Sequence, residues 1–332
     1  VLSQEFPFCP QLVPTRSGQT LTALPAASDT RHFARLVTWL PGTPLGEVKY
    51  HSPELLQNLG QCLGQLDRAF GTFDHPALHR DFHWDLANAL DIIDESESLI
   101  ADDETRRLVR KFKDDFVRDV VPLLPELRRG VIHNDANDYN VIVDAKTQRV
   151  TGLIDFGDMI YSFVVAELAI AIAYAILDKP DPLTVAAQMV KGYTAEHLLT
   201  DAELTALFGL VCMRLCQSVC IAAQQMRERP DDEYLAISQQ PIRNTLPKLA
   251  RIHPHFAEAV FREAAGLVPV PRSERIAAWL KANADSFASV LATDLRTEPS
   301  LVIDLSISAQ QGIVEDLRRL HGRATAEQGV PA

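Results

Sequence analysis

The 332-residue chain is poor in several things, and each shortage removes a class of function. It has five cysteines, Cys9, Cys62, Cys212, Cys216 and Cys220. An odd, sparse set is not the disulfide framework of a small secreted domain. Basic charge is scarce, with 32 Lys and Arg against 44 Asp and Glu and a net charge of −12. A nucleic-acid polymer is therefore not an expected partner, since a phosphate backbone selects a basic face. Long apolar runs are missing too. Leu168–Leu177 and Leu204–Met213 are about half of what a bilayer span requires, and Arg214 follows the second at once. The first ten residues carry no basic, apolar leader pattern. We expect a cytoplasmic chain with no membrane partner. There is no internal repeat and no low-complexity tract.

What is present reads as an α+β protein. Leu21–Leu24 alternates, and His32–Leu40 has the β-branched and aromatic texture of a strand that Pro41-Gly42 ends. Ser52-Pro53-Glu54 is a helix start, and apolar residues at 55, 56, 59, 63, 66 and 70 keep a helical period. A second helix is expected over Glu104–Leu124. Gly130–His133, Asn140–Asp144 and Val150–Phe156 read as short β-rich runs, with a polar turn at 145–148. From Tyr161 to about residue 264 the pattern is helical. Leu168–Leu177 is apolar all round, Leu204–Met226 is long, and Tyr234–Leu249 is expected to break at Pro241. Val268–Ser273 reads as a linker, followed by a helix at Glu274–Leu291, a β-like run at Ser300–Ser308 and a small, polar end from Gly322. Cys212, Cys216 and Cys220 recur every four residues on one helix face. No matching His or carboxylate accompanies them, so a buried thiol stripe outweighs a metal site.

The densest polar cluster is His133-Asn134-Asp135-Ala136-Asn137-Asp138-Tyr139-Asn140, set between apolar β-like segments. Fifteen residues beyond Asn140, the apolar Leu153-Ile154 ends in Asp155-Phe156-Gly157-Asp158. Phosphoryl transfer needs these parts: an Asp beside the acceptor hydroxyl to take its proton, and an Asn and an Asp to hold Mg²⁺ against the phosphates. A metal-dependent hydrolase would need more converging ligands than Asp135, Asp155 and His133.

His133-x-Asp135-x-x-x-x-Asn140 followed by Asp155-Phe156-Gly157 resembles the catalytic loop and metal strand of protein-kinase-like small-molecule kinases, specifically the aminoglycoside phosphotransferase family. Within it the motifs look like the hydroxylysine kinase branch, and like the kinase-like domains fused to class III aminotransferases. The resemblance runs over roughly residues 7–265. It implies a protein-kinase-like two-lobed fold, with an incomplete strand-rich N-lobe and a large helical C-lobe. It implies ATP and Mg²⁺ as cofactors and a small hydroxylated amine or amino acid as acceptor. By position, Asp135 resembles the base, with His133 supporting it within the catalytic pair. Asn140 and Asp155 resemble the Mg²⁺ ligands. Leu36, Val37, Thr38, Trp39, Leu40 and Ile154 fall where the adenine would dock. Asp158 and Glu167 match acidic positions that orient the loop or meet a cationic substrate; Glu167 equally suits a buried donor. Asp138 and Tyr139 either face the acceptor or shape the turn. Trp84 and Asp85 either line the acceptor site or pack and cap.

His79-Arg80-Asp81 spells the kinase tripeptide, but Leu86 stands where an Asn is needed. Asp81 is also 74 residues from Asp155, against 20 for Asp135. The resemblance further implies a phosphate-covering loop and a strand lysine, and neither is found. Lys49, the only lysine before residue 100, lies too late in the chain. Two readings compete. In the favoured one the chain is a piece of a larger enzyme, with a covalently linked downstream domain as a candidate partner; in the other it is a kinase-like binding module without catalysis. We expect a partial N-lobe and hinge at 1–43, a helical C-lobe at 44–265 and an extension at 266–332.

Overall fold

The computed structural model describes residues 6–25, 31–229, 233–271 and 273–287. The chain divides into two compact units, Val1–Pro269 and Val270–Ala332. The first opens with four short strands: β1 (Leu12–Val13), β2 (Thr22–Pro25), β3 (Arg31–Ala34) and β4 (Leu36–Val37). β1 pairs with β4 and β2 with β3, both antiparallel. The single strand expected over His32–Leu40 is thus two. At Arg35 the chain leaves one partner and takes up another. Leu36, Val37 and Trp39 stay exposed, Trp39 at 88%.

After β5 (Thr43–Pro44) comes α1 (Pro53–Phe70), with Ser52 Oγ accepting from the Leu55 N–H as the sequence predicts. Its buried stripe is Leu55, Leu56, Leu59, Leu63, Leu66 and Phe70. Two further helices follow, α2 (Ala89–Ser96) and α3 (Asp103–Asp119). The helix expected to Leu124 ends earlier, because Pro122 and Pro125 remove helical donors and tighten Val121–Glu126 into a 3₁₀ stretch.

Four strands then carry the polar loops: β6 (Arg129–Ile132), β7 (Val141–Asp144), β8 (Arg149–Leu153) and β9 (Ile160–Phe163). β7 joins β5 and β8 in one antiparallel sheet, while β6 pairs with β9. β9 was not expected, because Ile160–Phe163 runs without a turn signal into the apolar helix behind it.

The body is helical: α4 (Val164–Ala175), α5 (Pro182–Thr194), α6 (Asp201–Glu228), α7 (Glu233–Leu249) and α8 (Pro254–Ala264). α6 begins with a full capping box, Thr200 with Glu203. Among the described residues it is the one helix long and apolar enough to cross a membrane. However, 89% of its most apolar window is buried, so it serves as the core axis against which α3, α4, α7 and α8 pack. α7 runs on through Pro241 rather than breaking there. Ile242, Leu246 and Leu249 bury one face, and Thr245 Oγ1 bonds the Pro241 carbonyl. α1 and α5 approach closely at Gly60 and Gly192. A Cβ on Gly192 would lie 1.9 Å from the Gln57 carbonyl oxygen, and one on Gly60 2.1 Å from that of Met189.

The second unit is described over α9 (Ser273–Ala282) and α10 (Ala284–Phe287). The β-like run at 300–308 and the polar end from 322 lie outside the described residues. Cys212, Cys216 and Cys220 are free and buried on α6, the thiol stripe that the spacing predicts.

Candidate active site

Strand register builds the site. Ile132 opposes Ile160, and Val141 opposes Leu153. The loop 133–140 leaves β6 and returns in β7; the loop 154–159 leaves β8 and returns in β9. Both therefore emerge at the same strand ends, where a rigid frame holds polar side chains in place.

Two hydrogen bonds join the two loops, and two more brace the first of them. His133 is fully buried, its Nε2 is 3.0 Å from the Ile154 carbonyl oxygen, and its Nδ1 accepts from the Asp135 N–H at 3.2 Å. That pairing fixes the Nε2–H tautomer. The Ile154 N–H donates to the Asn140 carbonyl at 3.0 Å. Behind the loop, Glu167 on α4 accepts from the Asn134 N–H at 3.0 Å and holds that residue at a positive φ of 69°. Burial lowers the His133 pKa to about 4, against the opposing pull of its Ile154 bond and the Asp155 charge. A neutral ring without access to solvent does not exchange protons with a substrate. His133 thus bonds backbone groups at both ring nitrogens, in keeping with the loop-supporting place that the resemblance implies. Burial also raises Glu167 to about 7.

Asp135 is gripped at both oxygens. Oδ1 accepts from Asn137 Nδ2 at 2.8 Å, and Oδ2 from Asn140 Nδ2 at 2.6 Å. Burial raises its pKa, with Asp158 and Asp155 adding to the rise and Asn137 and Arg214 opposing it. Asn137, which the sequence reading did not single out, organises the turn. Its Oδ1 accepts from the N–H groups of Tyr139 at 2.8 Å and Asn140 at 3.1 Å. Only its place inside the polar cluster signalled it.

Asp155 is exposed and left-handed at φ 62°, its Oδ1 accepting from the Gly157 N–H at 3.2 Å. The donor set suits a hard divalent cation. Both Asn140 N–H groups go to Asp135, which leaves Asn140 Oδ1 for a cation beside the Asp155 carboxylate. The charges of Asp158 and Asp155 act against that of Asp135, a cost that a cation relieves. Among the described residues no three His, Cys, Asp or Glu form a cage, so such an ion would be shared with phosphates and water.

The other candidates fall into place around this centre. Leu40 packs on Gly152, next to Leu153-Ile154, and Thr151 Oγ1 donates to the Pro41 carbonyl. Leu36 and Val37 form the exposed strand β4 against β1, and Thr38 follows it, its N–H donating to the Gln11 carbonyl. Asp138 is turned onto the chain at Gly46, whose N–H donates to the Asp138 carbonyl at 2.8 Å, while Tyr139 is exposed. Asp85 is buried and caps the turn at 86–88 through the Ala87 N–H, bonding Ser162 as well. Trp84 lies under the guanidinium of Arg214.

Residues 2–204 match the phosphotransferase enzyme family. The chain belongs to this family. It is 32% identical to hydroxylysine kinase of Mus musculus over 246 residues, covering 70% of this chain and 65% of that protein. With hydroxylysine kinase of Bos taurus it shares 32% over 233 residues, 66% of this chain and 61% of that one. The chain thus spans less than two thirds of the length of these two relatives. Among solved structures, a microcompartment-associated aminopropanol kinase superposes with a TM-score of 0.57 at 19% identity, covering 81% of this chain and 80% of that chain. An amicoumacin kinase in complex with AMP-PNP and Ca²⁺ superposes at 0.54 and 18% identity, covering 74% of each. These likenesses show the α+β kinase-like fold that the sequence resemblance implies. Within this family frame, the loops 133–140 and 154–159 emerge together at the ends of β6, β7, β8 and β9, with Glu167 of α4 bonded behind the first.

Proposed function

We propose that the chain carries the phosphoryl-transfer centre of an ATP-dependent kinase acting on the hydroxyl of a small amine or amino acid. The observation that carries this reading is the double grip of Asn137 and Asn140 on the Asp135 carboxylate, in a loop bonded to the strand that delivers Asp155. Asp135 accepts the proton of the attacking hydroxyl. Asn140 Oδ1 and the Asp155 carboxylate hold Mg²⁺, which, when bound, offsets phosphate charge. His133 and Glu167 hold the loop by its backbone. The nucleotide base docks along Leu36–Leu40 and Ile154. An acceptor bearing an ammonium group fits the surplus of carboxylates, Asp135, Asp155 and Asp158, at the site. The hydroxylysine kinase and aminopropanol kinase relatives support an acceptor of this size and charge.

The test is calorimetric titration with Mg²⁺·ATP, followed by a coupled assay of ADP release across hydroxylated amines and amino acids. The expected result is saturable, Mg²⁺-dependent binding that Asp155→Asn loses, with acceptor-dependent ADP release. Absence of both from the chain overturns the reading.

A further inference from the structure

Arg214 sits midway along α6 and is only 2% exposed. Its NH1 donates to the Trp84 carbonyl at 2.8 Å. Its guanidinium lies 4.6 Å from the Trp84 ring centre and 5.7 Å from that of Tyr174. Its NH2 stands 3.8 Å from Asp135 Oδ1. Its Nε has no partner. A buried cation is retained only where paired charge or hydrogen bonds compensate it, and the carboxylate in ion-pair range here is Asp135.

The segment that Arg214 holds is the one carrying the misleading His79-Arg80-Asp81 tripeptide. Gln217, on the next turn of α6, donates to the carbonyls of His83 at 2.8 Å and Asp85 at 3.1 Å. At the other end Arg80 NH2 donates to the Gly157 carbonyl at 3.0 Å, and its guanidinium covers the Phe82 ring. Residues 80–85 are therefore stapled to the metal loop at one end and to α6 at the other. Arg214 is the group on α6 that touches both this segment and the base.

We infer that Arg214 is a positioning residue for Asp135, and that it uses the Trp84 face and carbonyl as its own fixed mount. The inference rests on the kinase reading above. Asn137 and Asn140 hold the carboxylate from within its loop. The guanidinium sets its orientation from the helical body, and the stack on Trp84 fixes the guanidinium. A lysine keeps the charge but has neither the planar face nor the two separate nitrogens that face the Trp84 carbonyl and Asp135. A base displaced by about 1 Å costs roughly 10²-fold in rate without any loss of binding.

The experiment compares the full chain with Arg214→Gln, Arg214→Lys and Trp84→Leu. Three quantities are read: kcat and KM for the acceptor, affinity for Mg²⁺·ATP, and amide hydrogen exchange of 133–140. In Arg214→Gln, kcat should fall about 10²-fold with acceptor KM and nucleotide affinity unchanged. Exchange should rise in 133–140 and 82–86 while α1 and α4 keep their protection. Arg214→Lys should recover part of the kcat, and Trp84→Leu should lower kcat with the charge still in place. Wild-type kcat and loop exchange in a folded Arg214→Gln overturn the inference, as does a rise in exchange spread evenly over the chain. If Arg214→Gln does not fold, wild-type kcat in both Arg214→Lys and Trp84→Leu overturns it. No turnover by the unaltered chain sinks the kinase reading instead, and loop exchange then decides the placement of Asp135 by itself.

Discussion

The Nε2 of His133 lies 3.0 Å from the carbonyl oxygen of Ile154, which makes the loop 133–140 and the strand end before Asp155 one hydrogen-bonded unit. The β7–β8 hairpin already sets Asn140 beside Ile154, and the His133 bond ties the far end of the loop, 21 residues from Ile154, to the same strand. A ring that is neutral and buried suits this role, because a charged imidazole would be costly to enclose between Phe156 and the strand.

Asn137 carries the turn of that loop, so its removal should be felt in stability and turnover together. Asn137→Ala leaves the N–H groups of Tyr139 and Asn140 without their side-chain acceptor and frees one oxygen of Asp135. We expect a loss of about 1–3 kcal/mol in urea unfolding and at least a tenfold fall in kcat. Asn137→Asp restores the acceptor but sets a second carboxylate against Asp135. It should recover stability and not turnover, and equal recovery of both would contradict the assigned role.

Asp135 itself should separate chemistry from binding. Asp135→Asn keeps an oxygen for the Asn140 amide but cannot take a proton. Turnover should drop by about 10²–10⁴-fold while Mg²⁺·ATP affinity holds. Calorimetry on the variant checks the second half, and an undiminished rate would remove Asp135 from the role of base.

The polar cluster 133–140 and the carboxylates at 155 and 158 were legible because polar residues between apolar β runs have few structural reasons to be there. The cap at Ser52 and the thiol stripe on α6 were legible because their signals are local. Arg214 was visible only as the charge that ended an apolar run. Its partners Trp84 and Asp135 are 130 and 79 residues away, and no local pattern encodes such a contact. Asp85 was ambiguous for the same reason, since its Ser162 partner lies on a strand that the apolar texture of the following helix concealed. The tripeptide at 79–81 shows the converse: a local match whose spacing failed, and whose arginine braces the loop 154–159 from outside.

The contact between α1 and α5 depends on the absence of two side chains. A methyl group on Gly192 would stand 1.9 Å from the Gln57 carbonyl, which is backbone and cannot swing aside. Gly192→Ala should therefore destabilise by about 1–3 kcal/mol or more, although alanine favours the helix by itself. Thermal unfolding of the single variant checks this. A gain in stability would mean that the two helices have room to part.

All five thiols are buried, and burial raises the pKa of each, to about 11 for Cys9 and about 12 for Cys62 and Cys220. Thiolate, the reactive form, is then negligible at neutral pH. A disulfide-exchange reagent should leave the folded chain unlabelled on the timescale of minutes and titrate five thiols in denaturant. Rapid labelling of a thiol on α6 would show that the helical body opens there.

The loop's two buried supports should give stability opposite slopes in pH. His133 titrates near 4 in the folded chain and near 6.5 when exposed. As pH falls from about 6.5 to 4, the unfolded chain takes up a proton that the folded chain refuses, and stability is lost. Glu167 titrates near 7 in the folded chain against 4.5 when exposed. As pH rises from about 4.5 to 7, the unfolded chain releases a proton that the folded chain keeps, and stability is lost in that direction. The two effects oppose one another over the range in which both groups titrate. His133→Gln removes the first slope, so its stability should decline steadily as pH rises from 4.5 to 7. Glu167→Gln removes the second, so its stability should decline as pH falls from 6.5. Urea unfolding of the three proteins at half-unit pH steps reads the slopes directly, independent of how far each substitution lowers stability overall. Parallel curves would mean that neither group is held in the protonation state the fold assigns it.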